Sequence, residues 1–209
     1  MNRVKNVTKQ TNNPFLNMYE FQVELKSGKT APYYVASRSQ TIEGLEAISH
    51  DSHKSDGVMI YGVYGDNKDK VVLVREFRYP LNDYIYHFPA GLVEKGEDLT
   101  SAAIREMFEE TGLTLTPIDV DPSFSKPFYT TAGMSDESCS TIFGYCTGTP
   151  SSAHTEETED IQVVLADKNE CRRIMKEDKV SIMCAYMLMH FINRDDTDPL
   201  AFLATNSQP

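Results

Sequence analysis

Gly91-Leu92-Val93-Glu94-Lys95-Gly96-Glu97-Asp98-Leu99-Thr100-Ser101-Ala102-Ala103-Ile104-Arg105-Glu106-Met107-Phe108-Glu109-Glu110-Thr111-Gly112-Leu113 is the stretch on which the reading of this chain turns. It opens on turn-forming residues, continues in helix formers and stops on a glycine. Asp98 suits an N-cap, where a side-chain oxygen accepts from the first free backbone N–H groups. Gly112 suits the left-handed position just past a helix end. The spacing therefore predicts a helix over 99–111. Glu106 and Glu110 stand one turn apart, with Glu109 at i+3 from Glu106. At ~100° per residue the three carboxylates share an arc of about 100°. Ala102 and Ala103, one turn earlier, are expected on the same side, their small side chains leaving the approach open. Ile104, Met107 and Phe108 are expected to anchor the opposite face in a core.

Like charges at this spacing repel, each pair costing roughly a few tenths of a kcal/mol. The arc is either a solvated acidic face or a site for a hard divalent cation, which prefers oxygen ligands and offsets the repulsion. The wider spacing separates the two readings. Gly91, Glu97, Arg105, Glu106, Glu109, Glu110 and Gly112 form a fixed pattern with apolar Met107 and Leu113. At usage of ~7% per residue type, seven such letters coincide by chance on the order of once in a hundred million positions. The pattern matches the Nudix box without a departure, and the chain resembles a Nudix hydrolase.

That resemblance implies an α/β fold, an α/β/α sandwich around a mixed sheet, and hydrolysis of a pyrophosphate. Such a reaction brings water to a phosphorus already crowded with negative charge, and divalent metals relieve that repulsion. Glu106, Glu109 and Glu110 are the expected ligands of Mg2+, with Mn2+ able to replace it. By the resemblance the Ala90 carbonyl adds a ligand and Arg105 orients a box carboxylate. Glu97 supports the loop and the metal shell, while Gly91 and Gly112 set backbone geometry.

Arg75–Tyr79, Pro89–Leu92, Thr131–Glu137 and Glu157–Ile161 resemble, in matching order, segments of the ADP-ribose pyrophosphatases, over roughly residues 18 to 193. The implied substrate is ADP-ribose or a related nucleoside diphosphate sugar, giving AMP and ribose 5-phosphate. A late-loop Glu acts as base or positions the attacking water, with Glu157 favoured over Glu159. Arg78 contacts a substrate phosphate, and Leu92 and Glu137 are further substrate contacts. These enzymes are usually homodimers whose N-terminal strands cross, so Phe21, Tyr33 or Tyr34 would stack on the base. Two features depart: His87 stands where these enzymes commonly carry Glu, and the polar stretch over 38–56 is longer. Both bear on the nucleotide more than on the reaction. GDP-mannose and UDP-sugars are the alternative substrates. A non-catalytic ADP-ribose sensor would be expected to lose box residues and carry a basic helical domain.

The rest of the chain bounds these readings. Its 209 residues suit one domain with a small extra piece, and a net charge of −11 argues against a nucleic-acid partner. Cys139, Cys146, Cys171 and Cys184 lack metal-like or redox spacing and are expected as reduced thiols. No apolar run approaches ~18 residues, so no membrane partner and a cytoplasmic location are expected. Residues 1–14 read as a polar arm and 19–36 as a β-hairpin, which makes 1–56 an N-terminal β extension suited to dimerisation. Strands are expected over 58–64, 70–77, 84–88, 137–147 and 161–165. Helices are expected over 167–176 and 180–193, the second with Ile182, Ala185, Tyr186 and Met189 on one face. The hydrolase domain thus spans 57–194, and 195–209 form a polar tail.

Overall fold

Alternating apolar residues and turn-forming breaks divide the chain into short strands, as the computed structural model shows for residues 3–51, 54–155, 159–194 and 198–203. The first half contains β1 (Val4–Lys9), β2 (Asn17–Glu24), β3 (Thr30–Ser37), α1 (Glu46–Ser49), β4 (Gly57–Tyr64), β5 (Lys70–Arg78), β6 (Asp83–His87) and β7 (Ala90–Leu92). Then come α2 (Leu99–Thr111), β8 (Thr114–Pro117), α3 (Pro122–Ser125), β9 (Phe128–Tyr129), β10 (Ser138–Thr147), β11 (Ile161–Ala166), α4 (Lys168–Glu177) and α5 (Ile182–Asn193). They fall into two compact units, Met1–Asp56 with Lys126–Cys139, and Gly57–Ser125 with Ser140–Pro209.

In the first unit β1, β2 and β3 pair antiparallel in that order. Tyr19, Phe21 and Val35 with Leu45 make its core, and Val4 and Val7 pack against it. The expected loose arm is therefore a third strand, and the extension is more than a hairpin. A polar segment can join a sheet because the ladder satisfies backbone groups whatever the side chains, and two inward valines give it register. Ala36 donates its N–H to Met134 O at 2.9 Å, and the Tyr33 hydroxyl donates to Gly133 O at 2.6 Å. These contacts tie β3 to the 131–137 loop.

The second unit is built on a sheet of order β11-β5-β4-β10-β8, with β6 on β5 and β7 on β4. Strand β4 is buried on both faces, which is why it reads as an unbroken apolar run rather than an alternating one. Val58 and Ile60 face α2, joining Ala102, Ala103, Met107, Val72, Leu115 and Cys146 in one cluster. Tyr61 points the other way. It packs on Phe88 and Phe143 at ring separations of 5.1 and 5.9 Å, and Cys171 of α4 and Cys184 of α5 lie near its hydroxyl. Helices therefore cover both faces, giving the expected α/β/α sandwich around a large mixed sheet.

Three packing expectations are corrected. In α2 the buried stripe is Ala102, Ala103, Met107, Glu110 and Thr111, while Ile104 and Phe108 are 41% and 45% exposed. The alanines let the helix sit close to the sheet, which carries the carboxylate face inward. Phe108 stacks on His154 at 4.6 Å instead of entering the core. In α5 the buried side chains are Cys184, Leu188 and Phe191, while Ile182, Tyr186 and Met189 stand exposed. The tail is not wholly polar: Leu200 and Leu203 are buried, and Asp198 accepts from Lys68 Nζ and the Tyr145 hydroxyl, both at 2.6 Å.

Candidate active site

Two local devices fix α2. Asp98 caps it by accepting the N–H groups of Thr100 and Ser101, each at 3.0 Å, and Gly112 ends it at φ 69°. Asp98 is held below the usual carboxylate range by the Ser101 side chain and by these backbone donors. Strand β7 runs beside α2 and pairs with β4, Val58 opposite Gly91 and Met59 opposite Ala90. Gly91 backs directly onto Glu106, leaving no room for a side chain at position 91.

Arg105 organises the surrounding carboxylates. Its Nε and Nη2 grip Glu97 at 3.0 and 2.9 Å, its Nη1 reaches Glu106 at 2.7 Å and Glu109 at 3.0 Å, and its Nη2 also donates to Leu92 O at 3.0 Å. The helical spacing shows only the Glu109 pair. The bidentate Glu97 grip crosses from loop to helix, and Glu97 is further held by the Glu94 N–H at 3.0 Å. With its donors so committed, Arg105 holds three carboxylates, Glu97, Glu106 and Glu109, in fixed places.

Glu110 is 3% exposed, and its Oε2 accepts the Ala90 N–H at 3.2 Å. Burial pushes its carboxyl well above the ordinary range. The negative charges of Glu106, Glu159 and Glu76 add to that rise, and the Ala90 N–H opposes it. Burial also raises Glu106; Arg105 opposes this, and Glu109 and Glu159 add to it. Glu159 therefore lies close enough for its charge to be felt at both groups. Glu157, the favoured base, lies outside the described residues.

This all-oxygen set suits a hard divalent cation, because positive charge there would offset the desolvation, and the added repulsion, that raise the carboxyls of Glu106 and Glu110. Among the described residues no three acidic, His or Cys side chains are already drawn into a metal-holding group. Instead, Arg105 occupies one oxygen each of Glu106 and Glu109.

The raised carboxyls set a pH dependence. The folded state holds their protons more tightly than the unfolded chain, whose groups titrate near the ordinary 4.5. Below that pH both states are protonated and the groups contribute nothing. As pH rises above it the unfolded chain releases protons first, so the metal-free fold loses stability up to the folded-state values. A cation bound there would offset this loss. Saturating Mg2+ is therefore expected to raise Tm more at pH 8 than at pH 5. Mass action at a hundredfold excess over Kd gives about 2.7 kcal/mol, or roughly 5–10 °C for a chain of this size. Differential scanning fluorimetry measures it, and equal increments at both pH values would remove the cation from these carboxylates.

At the end of β5, Arg78 Nη2 contacts Glu76 Oε2 at 2.8 Å, and the same oxygen meets His87 Nε2 at 2.7 Å. Sequence reasoning missed Glu76 as a site group, although it stands within the Arg75–Tyr79 segment. In the first unit Phe21 is buried in the core cluster, whereas Tyr33 and Tyr34 are open. Glu137 is held there by Arg38 Nε at 2.8 Å and the Thr130 hydroxyl at 2.9 Å.

Comparison with known proteins points the same way. A solved structure described as an ADP compounds hydrolase matches with a TM-score of 0.59 and 19% identity, over 83% of this chain and 82% of that one, a likeness of fold. ADP-ribose pyrophosphatase of Bacillus subtilis (strain 168) is 33% identical over 125 residues, 58% of this chain and 54% of that protein. ADP-sugar pyrophosphatase of Mus musculus is 33% identical over 90 residues, 42% of this chain and 41% of that protein. The chain thus spans about half or less of the length of these relatives. The NUDIX domain profile matches residues 53–183, well over half of the chain and the whole of the box, so the chain belongs to the Nudix family.

Proposed function

We propose that the protein hydrolyses the pyrophosphate bond of ADP-ribose or a related nucleoside diphosphate sugar with Mg2+ or Mn2+, giving AMP and ribose 5-phosphate. The observation that carries this is buried Glu110 with half-buried Glu106, both facing the backbone of β7 and both within reach of the Glu159 charge. The names of the relatives point to the ADP-sugar class.

Glu106, Glu109 and Glu110 with the Ala90 carbonyl would hold the ion. When bound, it supplies positive charge to phosphate oxygens and acidifies water. The chain's own groups do the rest. Glu159, or Glu157 two residues earlier, takes the proton from the attacking water onto a carboxylate oxygen. The water oxygen bonds to phosphorus as the bond to the bridging oxygen breaks, and ribose 5-phosphate leaves. Arg78, half open to solvent, offers its guanidinium to a phosphate, and exposed Leu92 is a further substrate contact. Glu137 contacts the ribose or the metal shell, and Tyr33 or Tyr34 stacks on the base in a homodimer. Phe21, on the same sheet, lines a cavity of the first unit with Tyr33 and is the third candidate for that stacking. A cytoplasmic setting suits four cysteines that form no disulfide with one another. Among the described residues no helix is long and apolar enough to cross a membrane.

Incubation with a nucleotide panel and Mg2+, read by chromatography, is expected to give AMP and ribose 5-phosphate in equal amounts from ADP-ribose. No turnover of ADP-ribose beside brisk turnover of GDP-mannose or a UDP-sugar would move the substrate. Tight binding of ADP-ribose without cleavage would turn the enzyme into a sensor.

A further inference from the structure

Strands β5 and β6 pair with Val74 opposite His87 and Glu76 opposite Ile85. The period of two along β5 puts Glu76 and Arg78 on one face, and the diagonal across the ladder brings His87 to that face as well. Glu76 and His87 are each 7% exposed, whereas Arg78 is half open to solvent. One carboxylate oxygen, Glu76 Oε2, serves both neighbours, at 2.7 Å to His87 Nε2 and 2.8 Å to Arg78 Nη2. The other ring nitrogen, His87 Nδ1, is 2.8 Å from Phe88 O. A carbonyl oxygen only accepts, so Nδ1 carries a proton there, and the ring is fixed at both ends. Glu76 also lies close enough to Glu110 for its charge to be felt there.

We infer that His87 and Glu76 are positioning residues for Arg78. His87 pins the Glu76 carboxylate from the buried side, and Glu76 holds the otherwise mobile Arg78 guanidinium at the edge of the carboxylate cluster. A long exposed side chain loses rotamer freedom when it binds an anion, and a clamp made in advance removes much of that cost. The contact also sets a cation against the Glu76 carboxylate, offsetting the repulsion that Glu76 alone would add toward a phosphate. The inference rests on the reading that Arg78 meets a substrate phosphate.

Two measurements on the full-length protein separate the clamp from that reading. In steady-state kinetics with ADP-ribose and Mg2+, His87→Ala is expected to raise KM about tenfold with kcat within about twofold. His87→Gln, whose amide N–H can reach Glu76, should return KM to within roughly threefold of wild type. His87→Ala added to Arg78→Ala should cost nothing further, because the two act through one group. Independently of substrate, the Arg78 guanidinium N–H signals in NMR should be sharp in wild type and broadened in both His87→Ala and Glu76→Gln. Signals unchanged in His87→Ala would overturn the clamp, as would a fall in kcat at constant KM or additive losses with Arg78→Ala. Broadened signals with KM unaffected by Arg78→Ala would leave the clamp standing and reject Arg78 as a substrate contact.

Discussion

Glu110→Gln is expected to lower kcat by about 10²- to 10³-fold, the loss typical of removing one group that stabilises charge in a transition state. The metal-free variant should meanwhile be at least as stable as wild type at pH 8. The two effects share a cause. Glu110 is buried with a backbone N–H as its hydrogen-bond donor, and three other carboxylates raise its proton affinity. The amide keeps the volume and can still accept from Ala90 N, so little packing is lost. What disappears is a charge that costs stability without a cation and is needed once one is bound. The decline in metal-free stability above about pH 4.5 should flatten in Glu110→Gln, since an amide does not titrate. Glu106→Gln should lose comparable activity but gain less stability, because Arg105 already pairs with Glu106 at 2.7 Å. Activity within tenfold of wild type for Glu110→Gln would remove it from the reacting centre. A metal-free variant less stable than wild type at pH 8 would mean that Glu110 is compensated by a partner.

The helix carrying these groups was legible almost to the residue. Its signals are local: Asp98 caps the N–H groups of the first turn, and Gly112 permits a left-handed φ that other residues resist. Which face of α2 points inward was not legible. Hydrophobicity favours burying Ile104 and Phe108, but the structure buries Ala102, Ala103 and Glu110, trading apolar area for close approach. The preference is set by the sheet beneath, which a single helix cannot reveal. The Glu97–Arg105 grip and the Glu76–His87 contact were hidden for a related reason. One crosses from a loop to a helix, and the other depends on β5–β6 register, so neither can be read from spacing within one element. The exposed apolar face of α5 shows the converse failure, since apolarity marked the helix without telling which side the fold would cover.

Gly91→Ala should be nearly as damaging as loss of Glu106 itself, although it removes nothing. A Cβ at position 91 would lie 1.9 Å from Glu106 Cδ and 2.0 and 2.4 Å from its two oxygens. Neither side can yield cheaply. The Gly91 backbone is pinned by pairing with Val58 in a buried strand, and the Glu106 carboxylate is held by Arg105. The carboxylate must therefore swing out of place or β7 must lift from the helix. Overpacking of this kind costs about 1–3 kcal/mol, and at this size each kcal/mol lowers Tm by roughly 2–4 °C. A displaced Glu106 should also lower kcat by about a hundredfold. Strain and chemistry can be separated by repeating the substitution in a Glu106→Ala background, where the space is already vacated. There Gly91→Ala should cost little further stability, giving a coupling of about 1 kcal/mol or more in the double-mutant cycle. Equal losses of Tm in the two backgrounds would show that the glycine serves the β7 backbone alone. Coupling between them would mean that Gly91 is required because the Glu106 carboxylate occupies the place where its side chain would be.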